Sequence, residues 1–216
     1  MTQQLAKPRF LVVLDVDSTL IEQEVIELLA DFAGKASEVA KVTERAMAGE
    51  LDFAGSLRAR VATLKGLDSE IIDKALKQIT ITKGAIELIA AVKGAGGYVG
   101  AVSGGFTQLL DPLALNLGLD FHRANQLEIV EGILTGEVIP PIIDKPAKAT
   151  ALVEWSKQLG IELSQTIAIG DGANDLDMIN VAGLGIGFCA KPRVRAAADL
   201  LVDSGDLSDV ISLIGL

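Results

Sequence analysis

Asp15 and Asp17 stand one residue apart, directly after the apolar run Phe10-Leu11-Val12-Val13-Leu14. Five apolar residues bounded by polar ones predict a strand buried on both faces of a parallel sheet. Alternation along that strand would send both carboxylates to one side, with Val16 on the other. Two carboxylates side by side repel each other unless a cation or a proton lies between them. Such pairs also occur in surface turns and calcium loops, so the meaning of this one depends on what else reaches the same place. Ser103 follows the run Tyr98-Val99-Gly100-Ala101-Val102, and Asp171 follows Thr166-Ile167-Ala168-Ile169 and Gly170. Asp15, Ser103 and Asp171 are thus each expected just past the C-terminal end of a different buried strand, the rim where open α/β sheets bind ligands. Asn174 and Asp175 extend the segment Gly170-Asp171-Gly172-Ala173-Asn174-Asp175, and Lys148 begins the helix before that strand.

Brought together, these side chains suit phosphate and a hard cation. Asp15, Asp17 and Asp171 offer oxygen ligands without the dense cage of a calcium site, and a few carboxylates, waters and a phosphate are what Mg²⁺ prefers. Ser103, the amides around Gly104 and Gly105, and the Lys148 ammonium can hold phosphate oxygens. A carboxylate in such a site can attack phosphorus in line, while a second serves as acid and base.

The elements that must position these groups show in the periodicity. From Ile21 to about Ile79 the apolar spacing is helical: Val25-Ile26-Leu28-Leu29, Val39-Val42-Ala46, Leu57-Val61-Leu64 and Ile71-Ile72-Ala75-Leu76-Ile79. Gly34, Gly49 and Gly66 read as helix stops, and Asp68-Ser69-Glu70 as a start. Beyond it, helices near Gly84–Lys93, Thr107–Leu117 and Ala147–Leu159 alternate with short apolar runs, ending in Leu184–Phe188 and Leu200–Val202. Leu127–Val130 and Ile133–Thr135 flank Glu131-Gly132 as a hairpin. Alternating strands and helices predict a doubly wound, mostly parallel α/β sheet covered on both faces. Residues 1–20 and 80–216 are expected to form that core, with residues 21–79 a helical cap inserted after the first strand.

The chain has 216 residues, half of them hydrophobic, which is ample for a packed core. Its net charge of -10 argues against nucleic-acid or anionic-membrane partners, and no apolar run approaches the length of a membrane span. Met1-Thr2-Gln3-Gln4 lacks the features of a secretory signal, and the single cysteine, Cys189, cannot form an internal disulfide. A cytoplasmic location is expected. Cys189 is expected to be packed at a strand end, and Trp155 on the apolar side of its helix. A homodimer is compatible with the sequence and not derivable from it.

The constellation resembles the haloacid dehalogenase superfamily: Asp15-Val16-Asp17-Ser18-Thr19 is similar to its first motif, Ser103 to the second, Lys148 to the third, and Gly170–Asp175 to the fourth. All four occur in order, and the resemblance covers essentially the whole chain. It narrows to the phosphoserine phosphatase family through Glu24, Met47-Ala48-Gly49, Phe53, Ser56-Leu57-Arg58-Ala59-Arg60-Val61 and Val102-Ser103-Gly104-Gly105-Phe106.

The resemblance implies that Asp15 is the nucleophile that becomes phosphorylated and Asp17 the general acid/base. Mg²⁺ would bind the Asp15 and Asp171 carboxylates and the Asp17 main-chain carbonyl, with Asp175 supporting them. Ser103 and Lys148 would bind phosphate, Gly104, Gly105 and Asn174 would complete the substrate contacts, and Met47 and Phe53 would line the cap. Phosphoserine carries an ammonium and a carboxylate beside its phosphate, matching Glu24 and the planar fork of Arg60. Lys145 competes with Lys148 for the third-motif role, and Lys148-Ala149 fits the family's Lys-Ala at a helix start. The implied reaction is Mg²⁺-dependent hydrolysis of L-phosphoserine, the last step of serine biosynthesis. Two alternatives are transfer of the phosphoryl group to an alcohol such as homoserine, and a phosphorylated receiver domain.

Overall fold

The computed structural model describes residues 9–216. At its centre lies β1 (Leu11–Leu14), whose four side chains are wholly buried because both faces of the sheet are covered. It pairs in parallel with β2 (Tyr98–Phe106) on one side and, across the sheet, with the later strand Thr166–Gly170 on the other. Numbered along the chain, the others are β3 (Phe121–Val130), β4 (Ile133–Ile139), β5 (Thr166–Gly170), β6 (Leu184–Phe188) and β7 (Leu200–Val202). The spatial order is β4-β3-β2-β1-β5-β6-β7, parallel throughout except for the β3–β4 hairpin at one edge. This is the mostly parallel doubly wound sheet that the alternating pattern predicts.

The order reverses at β1. From there the chain first builds outward through β2 and returns later through β5, so β1 and β5 flank the switch point of the sheet. Connections diverge at such a point and leave a crevice beyond the carboxyl ends of the strands. Alternate residues of β1 feed different apolar layers. Val12 and Leu14 join a layer with α5 (Ala85–Gly94) and α6 (Thr107–Leu117). Leu11 and Val13 join Leu152, Trp155, Met178 and Ile179, from α7 (Lys145–Leu159) and α8 (Leu176–Val181). Trp155 is packed as expected, stacked on Phe121 with ring centroids 5.4 Å apart. Its ring leaves no room at Gly100, where a Cβ would come within 2.8 Å of it. Short helices α9 (Pro192–Arg195) and α10 (Asp209–Leu213) complete the flanks.

Between β1 and α5 the chain forms α1 (Val25–Phe32), α2 (Ala36–Met47), α3 (Phe53–Ala62) and α4 (Glu70–Leu76). The expected stops, Gly34, Gly49 and Gly66, all take left-handed φ values, and Asp68 Oδ1 accepts the Glu70 N–H at the start of α4. The two passages between this helical stretch and the sheet run side by side. Ile21 bridges Ile81, Glu22 donates to Thr80 O at 3.0 Å, and Thr82 donates to Leu20 O at 3.0 Å.

Three local expectations need correction. The strand ends at Leu14, as expected, but extended alternation does not carry on to Asp17: the chain passes into a tight turn over Val16–Leu20, with Ser18 at φ 58°. The Asp15 carboxylate accepts the Val16 N–H and draws the chain out of the extended ladder. Ser103-Gly104-Gly105 is not a loop after β2 but part of it: the strand runs on to Phe106, with its pairing to β3 shifted between Val102 and Phe106. Cys189 is exposed rather than packed, on a left-handed backbone at φ 42° just past β6. No helix among the described residues is long and apolar enough to cross a membrane.

Candidate active site

Register along the sheet brings the first two carboxylates together. Leu14 of β1 lies beside Ile169 of β5, so the residues that follow each strand emerge as neighbours. The Asp15 N–H donates to Ile169 O at 2.8 Å, which anchors the nucleophile candidate to the adjacent strand. Asp171 follows β5 directly, and Asp175 returns beneath it, its Oδ2 accepting the Gly172 N–H at 3.0 Å. That return requires Gly170, where a Cβ would sit 2.6 Å from the Asp175 carboxylate.

Lys148 reaches this group from α7. Asp144 caps that helix, its Oδ1 accepting the Ala147 N–H at 3.0 Å, so Lys148 lies in the first turn. Its side chain is 1% exposed, and Nζ donates to Asp15 Oδ1 at 2.5 Å and Asp175 Oδ1 at 2.7 Å. Lys145, the competing lysine, pairs instead with Asp177 at 2.7 Å in a partly exposed position. Three turn and rim carboxylates are thereby gathered: Asp15, Asp171 and Asp175 each place an oxygen within 4.8 Å of the others.

Burial shapes the titration of this cluster. It drives Asp15 well above the usual carboxylate range; Asp175 adds to the rise and Lys148 opposes it. Asp17 is pushed up to about 7, first by burial and then by Glu24. For Lys148 burial would lower the pKa, but the attraction of Asp15 and Asp175 wins and raises it. Burial also raises Asp171, against the pull of Lys191.

One cavity of about 100 Å³ collects most of the expected residues: Asp15, Asp17, Glu24, Phe53, Arg60, Gly104, Gly105, Asp171 and Asn174 all line it. Phe53 and Arg60 enter from α3 and Glu24 from just before α1, so the helical stretch roofs the sheet's rim. Glu24 is held by the Ser18 hydroxyl, which donates to its Oε1 at 2.8 Å. Arg60 is drawn below its usual pKa by burial, with Glu24 and Asp17 opposing. Ser103, Lys148 and Asp175 stand behind the lining, and Ser103 Oγ accepts the Gly105 N–H at 2.7 Å. The Met47 side chain lies outside the described residues.

Lys191 was absent from the expected set. It lines the cavity, and its Nζ meets Asp171 Oδ2 at 2.9 Å. Its signal was placement, three residues past Phe188 at the end of β6, the same rule that selects Asp171. Asp17 directs Oδ2 to the Val25 N–H at 3.3 Å, while its Oδ1 is buried with no partner among the described residues. The hard oxygens that Asp15, Asp171 and Asp175 place within 4.8 Å of one another fit a small divalent cation.

Comparison with known proteins agrees with the geometry. A model of the haloacid dehalogenase-like hydrolases matches residues 12–180. A phosphoserine phosphatase of Streptomyces coelicolor is 56% identical over 206 residues, covering 95% of this chain and 50% of that protein, so the chain spans about half its length. A phosphoserine phosphatase of Streptococcus thermophilus is 50% identical over 210 residues, covering 97% of this chain and 98% of the relative. A solved structure of a phospho-aspartyl intermediate analogue of phosphoserine phosphatase aligns with a TM-score of 0.90 at 43% identity, covering 96% of this chain and 99% of the other.

Proposed function

The chain belongs to the haloacid dehalogenase-like hydrolase family, and from that premise we propose that it hydrolyses L-phosphoserine to serine and phosphate through a phosphorylated Asp15. The observation that carries this proposal is the pairing of opposite charges above one phosphate-sized anchor. Glu24 and Arg60 enter the same cavity as the Asp15 carboxylate, offering an anion for the substrate ammonium and a planar cation for its carboxylate.

Asp15 Oδ1 accepts from both Val16 N–H and Lys148, whereas its Oδ2 accepts no hydrogen bond among the described residues and is left to attack phosphorus. As the Oδ2–P bond forms and the bond from phosphorus to the serine oxygen breaks, Asp17 gives that oxygen a proton. A pKa of about 7 keeps a large share of Asp17 protonated at neutral pH, ready for that step. Asp17 then takes a proton from water, whose oxygen attacks phosphorus and frees phosphate and the Asp15 carboxylate. Lys148, Ser103 and the Gly104–Gly105 backbone hold the phosphate oxygens, and Asn174 completes the contacts. The Asp15 and Asp171 carboxylates and the Asp17 main-chain carbonyl would hold Mg²⁺, with Asp175 beside them. When bound, that ion would neutralise charge on the transferring group.

Residues 21–79 act as the cap over a core that includes residues 9–20 and 80–216; residues 1–8 of the expected core lie outside the described residues. The cap opens for exchange and closes for chemistry, as lids over active sites commonly do. The protein works in the cytoplasm on a small phosphate ester. The test is phosphate release, with and without Mg²⁺, from phosphoserine, phosphothreonine, phosphoethanolamine and sugar phosphates. Multiple turnovers with a preference for phosphoserine are expected; equal rates on all esters would remove the substrate assignment.

A further inference from the structure

Asn125, on β3, is a fully buried polar side chain (0% exposed) that lines no part of the catalytic cavity. Its Nδ2 donates to Gly104 O at 2.9 Å and to Ile143 O at 3.4 Å, and its Oδ1 accepts the Ile143 N–H at 2.7 Å. A backbone N–H can only donate and a carbonyl can only accept, so this network fixes which way the amide points.

Each bond leads to a phosphate-binding group. Pairing between β2 and β3 shifts over residues 103–105, which takes Gly104 O out of the regular ladder, and Asn125 supplies the missing donor. Gly104 C=O and Gly105 N–H belong to one planar peptide, so holding the oxygen orients the N–H. That N–H donates to Ser103 Oγ at 2.7 Å, which leaves the hydroxyl proton free for another acceptor. Donation at one end of such a chain strengthens donation at the next. At its other face Asn125 grips Ile143, the residue before the Asp144 cap of the helix that carries Lys148.

We propose that Asn125 is a positioning residue for phosphoryl transfer, fastening the Gly104–Gly105 peptide, and through it the Ser103 hydroxyl, in register with the helix of Lys148. This rests on the phosphate-binding role assigned above to Ser103 and Lys148.

Two variants test it. Asn125→Ala removes both the donor and the acceptor. Removing a direct transition-state donor costs about 100- to 1000-fold; Asn125 acts one bond further away, and a fall in kcat/KM of about 10- to 100-fold is expected, with weaker inhibition by inorganic phosphate. Asn125→Asp keeps the acceptor for Ile143 and restores a donor to Gly104 O only when its carboxyl is protonated, as a buried acid among carbonyls can be. Its kcat/KM relative to the parent protein should therefore climb as pH falls from 8.5 to 6, a profile that a purely structural loss would not produce. Near-UV circular dichroism establishes the folded fraction of each variant. The inference is overturned if folded Asn125→Ala keeps the parent's kcat/KM and phosphate affinity within twofold, or if the Asn125→Asp ratio stays flat across that range. If the parent protein neither hydrolyses phosphoserine nor binds phosphate, the functional assignment itself fails and takes this inference with it.

Discussion

Replacing Lys148 with Met removes the one buried cation between Asp15 and Asp175 while keeping the apolar stem that α7 packs around. Its Nζ lies 2.5 Å from one carboxylate and 2.7 Å from the other. At an effective dielectric near 20 those separations correspond to about 6 to 7 kcal/mol of gross attraction each. Desolvation of three buried charges offsets most of this, and breaking a buried pair by deleting one partner typically costs about 3 to 5 kcal/mol. For a chain of this size that is a fall in Tm of about 6 to 20 °C. The loss must depend on pH. Without Lys148 the folded-state pKa of Asp15 rises further above its unfolded value, so stability drains away as pH climbs through that interval. At pH 5.5 a bound proton replaces part of the missing charge, and the deficit should be visibly smaller than at pH 8. Urea unfolding followed by fluorescence of Trp155, the single tryptophan, reads this directly when EDTA is present. A deficit below about 1 kcal/mol, equal at both pH values, would show that Lys148 does not carry the charge balance of the cluster.

Asp15→Asn should abolish phosphate release while the protein stays folded; full turnover, after mass spectrometry excludes deamidation back to Asp, would sink the nucleophile assignment. Arg60→Ala should raise KM for phosphoserine about 10- to 100-fold through loss of a charge-assisted contact, yet leave phosphoethanolamine, which has no carboxylate, nearly unchanged. Equal losses on both would mean that Arg60 shapes the cap rather than selecting the substrate. Asp206 is held at about 2, first by the Ser208 hydroxyl and then by Lys83. Its depressed pKa contributes stability above the unfolded value, near 3.9, that is lost as pH falls toward 2. Asp206→Asn should accordingly flatten the change of Tm between pH 4 and pH 2, and an unaltered slope would contradict the assigned interaction.

Local pattern alone specified a good deal here. Apolar runs gave β1, β6 and β7 almost to the residue; β1 and β6 because strands buried on both faces show continuous hydrophobicity with polar ends, whereas β7 is an edge strand with Leu201 exposed. Glycine stops and 3.6-residue spacing marked the four helices between β1 and α5, and the strand-end rule selected Asp15 and Asp171. Backbone detail at the rim escaped that pattern. The turn at Ser18 and the continued strand through Gly105 arise from hydrogen bonds to Asp15 and Asn125, not from any periodicity.

What only the tertiary structure decided is partnership at long range. Lys145 and Lys148 are three residues apart on one helix, and the sequence offers both for the same task. Folding buries one between Asp15, 133 residues away in the chain, and Asp175, while the other finds Asp177 near the surface. Lys191 and Asn125 enter for the same reason: their importance lies in the atoms they meet across strands, Asp171 for one and Gly104 with Ile143 for the other. Composition and spacing determine which groups a segment can present at a strand end. Which groups meet, at what distance and in how dry a place, follows from register between β1 and β5 and from the reversal of strand order beside them. Those two features turn separate acidic residues into one cluster with a shared cation.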